Sequence, residues 1–273
     1  MIKYNLSDLT RIPSVGPATA RILKKNGIRT ISQLAELDSN HHLSQMMSSF
    51  PLVVTYAKAI TSKQVIIKEE VKSTFDDLSN RNVYFFDTEY NPGGTKNGPC
   101  GMFLLGWMNR NGEVTQLFVD DPANEREILT EFRDWLVKEK PVLIAYGSRS
   151  ADVPHLRNSF HRFNIPTQCL EDSFLDLYSD VLYTRNRHKQ KIFLPVSGST
   201  SIKHVSENLG HGRPNLKIMD GLGALYSYEK FLRKKMKRTK AKIKRELLAY
   251  HLEDLEMVRF VYERVKALWD KSF

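Results

Sequence analysis

VYFFDTEY, residues 83–90, is the stretch that decides the fold. Aromatic and β-branched residues run into two acids, and in a strand the side chains alternate between faces, so Asp87 and Glu89 lie on the same side, two residues apart. A strand that is apolar along its length and acidic at its end places a pair of carboxylates at a strand end. Two later segments supply partners. In LIAYGSRSADVPHL (143–156), an apolar strand predicted over 141–147 leads to Asp152, just ahead of a helix predicted over 154–163. In LLAYHLEDLEMV (247–258), Tyr250 and Asp254 are four residues apart and share one face of a helix. Taken singly, Asp152 reads as a helix cap and the other acids as solvated charges. Taken together, they form a site for divalent cations, which prefer oxygen ligands. Glu253 stands beside Asp254 as a substitute ligand.

Working outward, strands are predicted over 83–87, 102–108 and 114–119, the last two joined by a hairpin at Asn111-Gly112. Residues 123–137 carry Ile128, Leu129, Phe132 and Leu136 at helical spacing. After the strand at 141–147 the remainder reads as mostly helical. The order β-β-β-α-β-α predicts an α/β domain built on a mixed sheet flanked by helices. Pro92, Gly93, Gly94, Gly98 and Gly101 mark a surface loop after the first motif. Tyr90 and Tyr146, beside the first two motifs, are candidates for stacking on bases, although aromatics next to strands usually belong to the core.

The pattern DxE, a later Asp and YxxxD resembles the tyrosine-type DEDD nucleases of the ribonuclease H-like superfamily. The histidine type has its His five residues before the last Asp, where this chain has Ala249. FLDLYSDV (174–181) and LPVSGSTSIKHVSENLGH (194–211) are similar to the matching segment of YprB-like ribonuclease H-like domains. The likeness covers roughly residues 80 to 270 and departs from the family at Gly147 and Ala151, where Asn and Phe are usual. It implies the ribonuclease H-like fold and 3′–5′ exonuclease activity with two divalent ions, Mg²⁺ or Mn²⁺. Asp87 would bridge the two ions, Glu89 and Asp254 would complete the one carrying the nucleophilic water, Asp152 would act on the other, and Tyr250 would orient the water. A structure-selective endonuclease and an RNA-processing nuclease are the rival enzymatic readings. A nucleic-acid-binding scaffold without activity is the rival of another class.

The amino-terminal LSDLTRIPSVGPATARILKKNGIRTISQLAEL (6–37) reads as two short helices around a tight turn, with Pro17 suited to a first helical position. It resembles a helix-hairpin-helix, whose turn amides and following helix hold a phosphate without reading sequence. The resemblance implies contacts at Ser14, Val15 and Gly16, with Ser14 where the first glycine is usual, and Lys24 and Lys25 are added as phosphate partners. Aligning Leu9, Ile12, Ala20 and Leu23 with Met46, Ser49, Ala57 and Ile60 suggests a degenerate second hairpin around SSFPLVVTYAKAI (48–60) that packs rather than binds.

A chain of 273 residues suits a partition into a helix-hairpin-helix domain (1–65), a linker (66–80) and a nuclease domain (81–273). The net charge of +10 favours polyanions, and residues 230–245 hold ten Lys or Arg and no acid. Lys234, Lys235, Lys237 and Arg238 in that run are expected to meet nucleic acid, as a flexible arm or a helix end. Lys203 joins them by family resemblance. The expected partner is nucleic acid, DNA in preference to RNA. The histidines, among them His188, show no zinc spacing, and Cys100 and Cys169 form no CxxC. No apolar run matches a membrane span and no signal-peptide core appears, so the expectation is a soluble cytoplasmic protein.

Overall fold

The computed structural model describes residues 6–67, 78, 81–93, 101–171, 173–183, 192–195, 198–212 and 214–270. Gly94, Gly98, Cys100, His188 and most of the 66–80 linker lie outside these residues. The chain divides into two compact units: Met1–Phe75 with Tyr178–Gly212 and Phe260–Phe273, and Asp76–Leu177 with Arg213–Arg259.

In the first unit, a 3-10 turn at Leu9–Arg11 leads into α1 (Pro17–Lys25), followed by α2 (Ile31–Ala35), α3 (Leu43–Met46) and α4 (Phe50–Ser62). Pro17 sits in the first turn of α1, where its missing N–H costs nothing. Thr30 and Gln33 form a reciprocal capping box that starts α2. Ser14 adopts φ +74°, the left-handed backbone that the usual glycine of this hairpin would take without strain. Val53 is fully buried, in keeping with a second hairpin that packs. Met46, aligned with buried Leu9, is exposed, and Leu43 is the buried residue of α3. A short strand, β1 (Ile66–Ile67), follows.

The second unit is built on a mixed sheet. Its strands are β2 (Val83–Tyr90), β3 (Met102–Asn109), β4 (Val114–Phe118), β5 (Val142–Ala145) and β6 (Phe174–Asp176), in the order β4-β3-β2-β5-β6. The β2–β3 and β3–β4 pairs are antiparallel; β2–β5 and β5–β6 are parallel. β6 is a strand within the mostly helical remainder that the sequence did not single out: FLD is three residues long, too short for a two-residue period to show, and it is a strand because its backbone pairs with β5. α5 (Glu125–Glu139) and α6 (Asp152–Arg162) pack against the face formed by Phe86, Leu105, Trp107 and Leu143. After α7 (Ile202–Asn208), which belongs to the first unit, come α8 (Gly221–Arg233) and α9 (Lys237–Asp270). α8 and the part of α9 in the second unit cover the other face with Ala224, Tyr228, Phe231, Leu247 and Tyr250, packed on Phe103, Leu104 and Phe118. A bulge opposite Glu89–Tyr90 turns both Phe103 and Leu104 to that face.

Buried Glu125 pins three elements together. It accepts hydrogen bonds from Gly101 N (3.2 Å) and Met102 N (2.8 Å) at the start of β3, and it pairs with Arg162 at the end of α6. The remaining strand, β7 (Ile192–Phe193), pairs antiparallel with β1 in the first unit, and Phe193 meets Tyr56 edge-on at 5.0 Å.

Candidate metal centre

The alternation of β2 sorts its side chains between two chemistries. Tyr84, Phe86, Thr88 and Tyr90 turn to the α5–α6 face, whereas Asp87 and Glu89 turn to the α8–α9 face. On α9, Tyr250 and Asp254 meet them. Carboxylate oxygens of Asp87, Glu89 and Asp254 lie within 4.8 Å of one another. A cavity of about 360 Å³ is lined by these three acids together with Asp152 and Tyr250.

The structure separates the four acids into a cluster of three and one apart. Asp152, at the start of α6, is held by Thr88, whose hydroxyl donates to its Oδ1 at 2.6 Å. Thr88 and Asp152 both line the cavity beside the cluster. Burial pushes the Asp152 carboxyl up to about 6, opposed by the Thr88 hydrogen bond and reinforced by the negative charges of Asp176 and Asp254. Glu253 is buried and does not line the cavity, so Asp254 is the acid of α9 that meets the others.

Tyr250 is 4% exposed. Burial drives its phenol far above the ordinary range, helped by the charges of Asp254 and Glu89 and by a hydrogen bond to Asp254. The hydroxyl therefore stays protonated and orients by hydrogen bonding. Tyr90 is pushed up to about 12, first by burial and then by Asp152, and it stacks on His155 at 3.9 Å, so its ring already has a protein partner. Tyr146 also lines the cavity.

Two residues that shape this site were not singled out by the sequence. The first is His251, fully buried on α9. Its Nε2 lies 3.0 Å from the Asp87 carbonyl and its Nδ1 lies 2.9 Å from Gln116 Nε2. A carbonyl only accepts and an amide nitrogen only donates, which assigns the Nε2–H tautomer. Burial pulls this imidazole down to about 4, so at neutral pH it is an uncharged link between α9 and the metal-site strand. The second is Asp176, 1% exposed at the end of β6. Its two oxygens accept from Gly147 N (2.7 Å) and Arg149 N (3.0 Å), fixing the loop that delivers Asp152. Gly147 has φ +76°, a conformation that favours glycine and suits the departure from Asn seen in the sequence. Neither of the two acids in FLDLYSDV, Asp176 and Asp180, stood out in the sequence; the in-register pairing of Asp176 with Ala145 places it beneath the loop.

The predicted nucleic-acid contacts are dispersed. Ser14, Gly16, Lys24 and Lys25 are exposed in the first unit, and Lys203 is half-buried on α7. The side chain of Val15 is in the helical core and its N–H donates to Ile12 O at 3.0 Å. Lys234, Lys235, Lys237 and Arg238 are exposed where α8 ends and α9 begins. Most of the 230–245 run is helical rather than a free arm, and part of its charge is used internally. Lys244 bonds Asp120 at 2.6 Å and lies over the Phe118 ring, while Lys240 lies over Phe231.

A mixed sheet covered by helices on both faces, with three acids and a tyrosine gathered at the end of its central strand, defines an α/β domain whose acidic cluster could hold a metal ion. The chain belongs to the RNase_H superfamily, whose family model matches residues 84–266. Residues 6–46 match the SAM-like helix-hairpin-helix tandem. Among solved structures, the chain is similar in fold to the family B DNA polymerase from the hyperthermophilic archaeon Pyrobaculum calidifontis. The identity is 17% and the TM-score 0.51, with 68% of this chain and 24% of the polymerase chain covered. The chain thus spans about a quarter of that polymerase's length. No curated protein matches. Together the two family models indicate nucleic-acid binding and support a nuclease. Among the described residues, no helix is long and apolar enough to cross a membrane.

Proposed function

We propose that the protein is a tyrosine-type DEDD nuclease that removes nucleotides from the 3′ end of DNA in repair or processing, with residues 1–65 gripping backbone and 81–273 carrying the chemistry. The observation that carries this reading is the meeting of Asp87, Glu89 and Asp254 within 4.8 Å in a cavity also lined by Asp152 and Tyr250. An all-oxygen, anionic donor set suits Mg²⁺ or Mn²⁺. Asp87, Glu89 and Asp254 would hold one ion, and Asp87 with Asp152 a second. Ions bound there supply charge stabilisation and a water acidified toward neutral pH. The remaining work falls to the chain. Tyr250, kept protonated, orients the attacking water; Thr88 and Asp176 hold Asp152 and its loop; His251 holds α9 to β2.

The test is cleavage of end-labelled single-stranded, duplex, flapped and RNA substrates with Mg²⁺, Mn²⁺ or EDTA, comparing the natural chain with Asp87→Ala. A metal-dependent ladder shortening from the 3′ end of DNA, lost in the variant, is expected. Internal cuts would replace the exonuclease reading with an endonuclease, and preference for RNA would replace the substrate. Binding without cleavage in either protein would make the chain a scaffold.

A further inference from the structure

Three residues in a row across the sheet lie under the buried imidazole of α9. Asp87 on β2 pairs with Gly106 on β3, and Gly106 pairs with Gln116 on β4, so the three stand side by side on the face that α9 covers. The middle position has no side chain, and a methyl built on it would stand 2.8 Å from His251 Cε1, the ring carbon between the two nitrogens. The ring therefore lies over Gly106 with one nitrogen toward each neighbouring strand: Nε2 is 3.0 Å from the Asp87 carbonyl and Nδ1 is 2.9 Å from Gln116 Nε2. Gln116 makes a second bond, its Nε2 donating to the Leu248 carbonyl of α9 at 2.9 Å. That bond sets the sense of the amide, because the other sense would place oxygen against oxygen. With both amide hydrogens committed, Nδ1 of His251 must accept, and the ring proton lies on Nε2, where it donates to Asp87. One amide on β4 thus grips α9 at Leu248 and His251, the two positions that bracket Tyr250, and reaches through the ring to the backbone of Asp87.

We propose that Gln116 is a positioning residue of the metal site: by orienting His251 it holds the stretch of α9 that carries Tyr250 and Asp254 in register with Asp87 and Glu89. This rests on the nuclease reading for what the site does. Gln116 acts through His251 and Leu248 rather than on the cavity, which it does not line. Two replacements at 116 separate the causes. An aliphatic side chain of similar length leaves Nδ1 of a fully buried ring without its donor, so the ring proton is no longer confined to Nε2. A carboxylate only accepts, so it draws the proton to Nδ1 and leaves the Asp87 carbonyl facing a bare nitrogen. Either change releases the tie between α9 and β2, on which the approach of Asp254 to Asp87 and Glu89 depends. Partners that orient metal ligands are worth about 10–100-fold in metal affinity or activity.

The experiment uses the full chain. Proton–nitrogen correlation spectra of the histidine rings report which nitrogen of His251 carries the proton, with the His251→Ala spectrum identifying its signal, and they need neither metal nor substrate. Calorimetry gives the Mn²⁺ affinity, and cleavage of a fluorescein-labelled single-stranded DNA separates kcat from KM. In the natural chain Nδ1 is expected to be bare. Gln116→Leu is expected to shift that signal toward a mixture of tautomers, to weaken Mn²⁺ binding about 10–100-fold and to lower kcat with KM for DNA little changed. Gln116→Glu, of nearly the same size, is expected to move the proton to Nδ1 with a comparable loss of Mn²⁺ affinity, and it carries the test if Gln116→Leu fails to fold. Phe118→Leu is the control for a merely structural role: it loosens the packing of β4 on α8 and lowers the melting temperature, and it is expected to leave the His251 signal and the Mn²⁺ affinity unchanged. An unchanged ring signal or Mn²⁺ affinity in the folded Gln116 variants, with the natural chain cleaving DNA, overturns the proposal and leaves the nuclease reading intact. Equal weakening of Mn²⁺ binding in Phe118→Leu overturns it as well. A natural chain that binds Mn²⁺ and cleaves no nucleic acid overturns the nuclease reading, and the ring signal and Mn²⁺ affinity then still decide whether Gln116 positions the site. A natural chain that binds no Mn²⁺ overturns both.

Discussion

Gly106→Ala tests how the metal site is assembled. Gly106 lies opposite Asp87 on β3 and opposite Gln116 on β4. A Cβ there would stand 2.5 Å from the Thr115 carbonyl oxygen, 2.8 Å from His251 Cε1 and 3.3 Å from Gln116 Cα. Forcing a methyl into a packed interior costs about 1–3 kcal/mol. The upper end applies because the closest obstacle is the backbone of a paired strand, which cannot swing aside as a side chain can. At roughly 2–4 °C per kcal/mol, a loss of about 3 kcal/mol lowers the melting temperature by about 6–12 °C. The damage is also directional. His251 must move away, which strains its hydrogen bond to the Asp87 carbonyl and draws Tyr250 and Asp254 from Asp87 and Glu89. Thermal melts followed by circular dichroism and Mn²⁺ titration calorimetry read the two effects on one protein. Adding His251→Ala removes the ring contact but not the Thr115 contact, so it recovers part of the stability and none of the metal affinity. A melting temperature within about 2 °C of the natural chain, together with unaltered Mn²⁺ affinity, would refute the view that a bare position at 106 lets α9 reach the sheet.

Asp176→Asn keeps the shape but sets an amide against one of the two N–H donors it now accepts, so the Asp152 loop shifts; Mn²⁺ affinity is expected to fall about 10–100-fold with the melting temperature nearly preserved, and calorimetry on the folded variant checks this. Ser14→Gly relieves a left-handed backbone at a cost of about 1–2 kcal/mol to a side-chain-bearing residue, offset by roughly 0.5–1 kcal/mol of extra chain entropy. Chemical denaturation should therefore show a gain of up to about 1.5 kcal/mol, and a loss would mean that the serine hydroxyl contributes to the hairpin.

The sequence by itself determined strands β2 to β5 and their order along the chain, the face on which Asp87 and Glu89 stand, the pairing of Tyr250 with Asp254 on one helix face, and the presence of an amino-terminal hairpin. These are short-range properties: a period of two or four residues, a turn dipeptide, a proline at a helix start. Tertiary structure decided the rest. β6 is a strand through its partner rather than its composition, and Asp176 acquires its role from that pairing. Asp152 is held by Thr88 beside the cluster that the other three acids form. Within the basic run 230–245, Lys240 and Lys244 lie over aromatic rings, which the sequence did not show. Gly106 and His251 carry no local signal, since a glycine in a strand and a histidine in a helix are ordinary until one is found to make room for the other. Periodicity shows which way a side chain points, whereas what it meets is set by residues distant in sequence whose approach depends on packing.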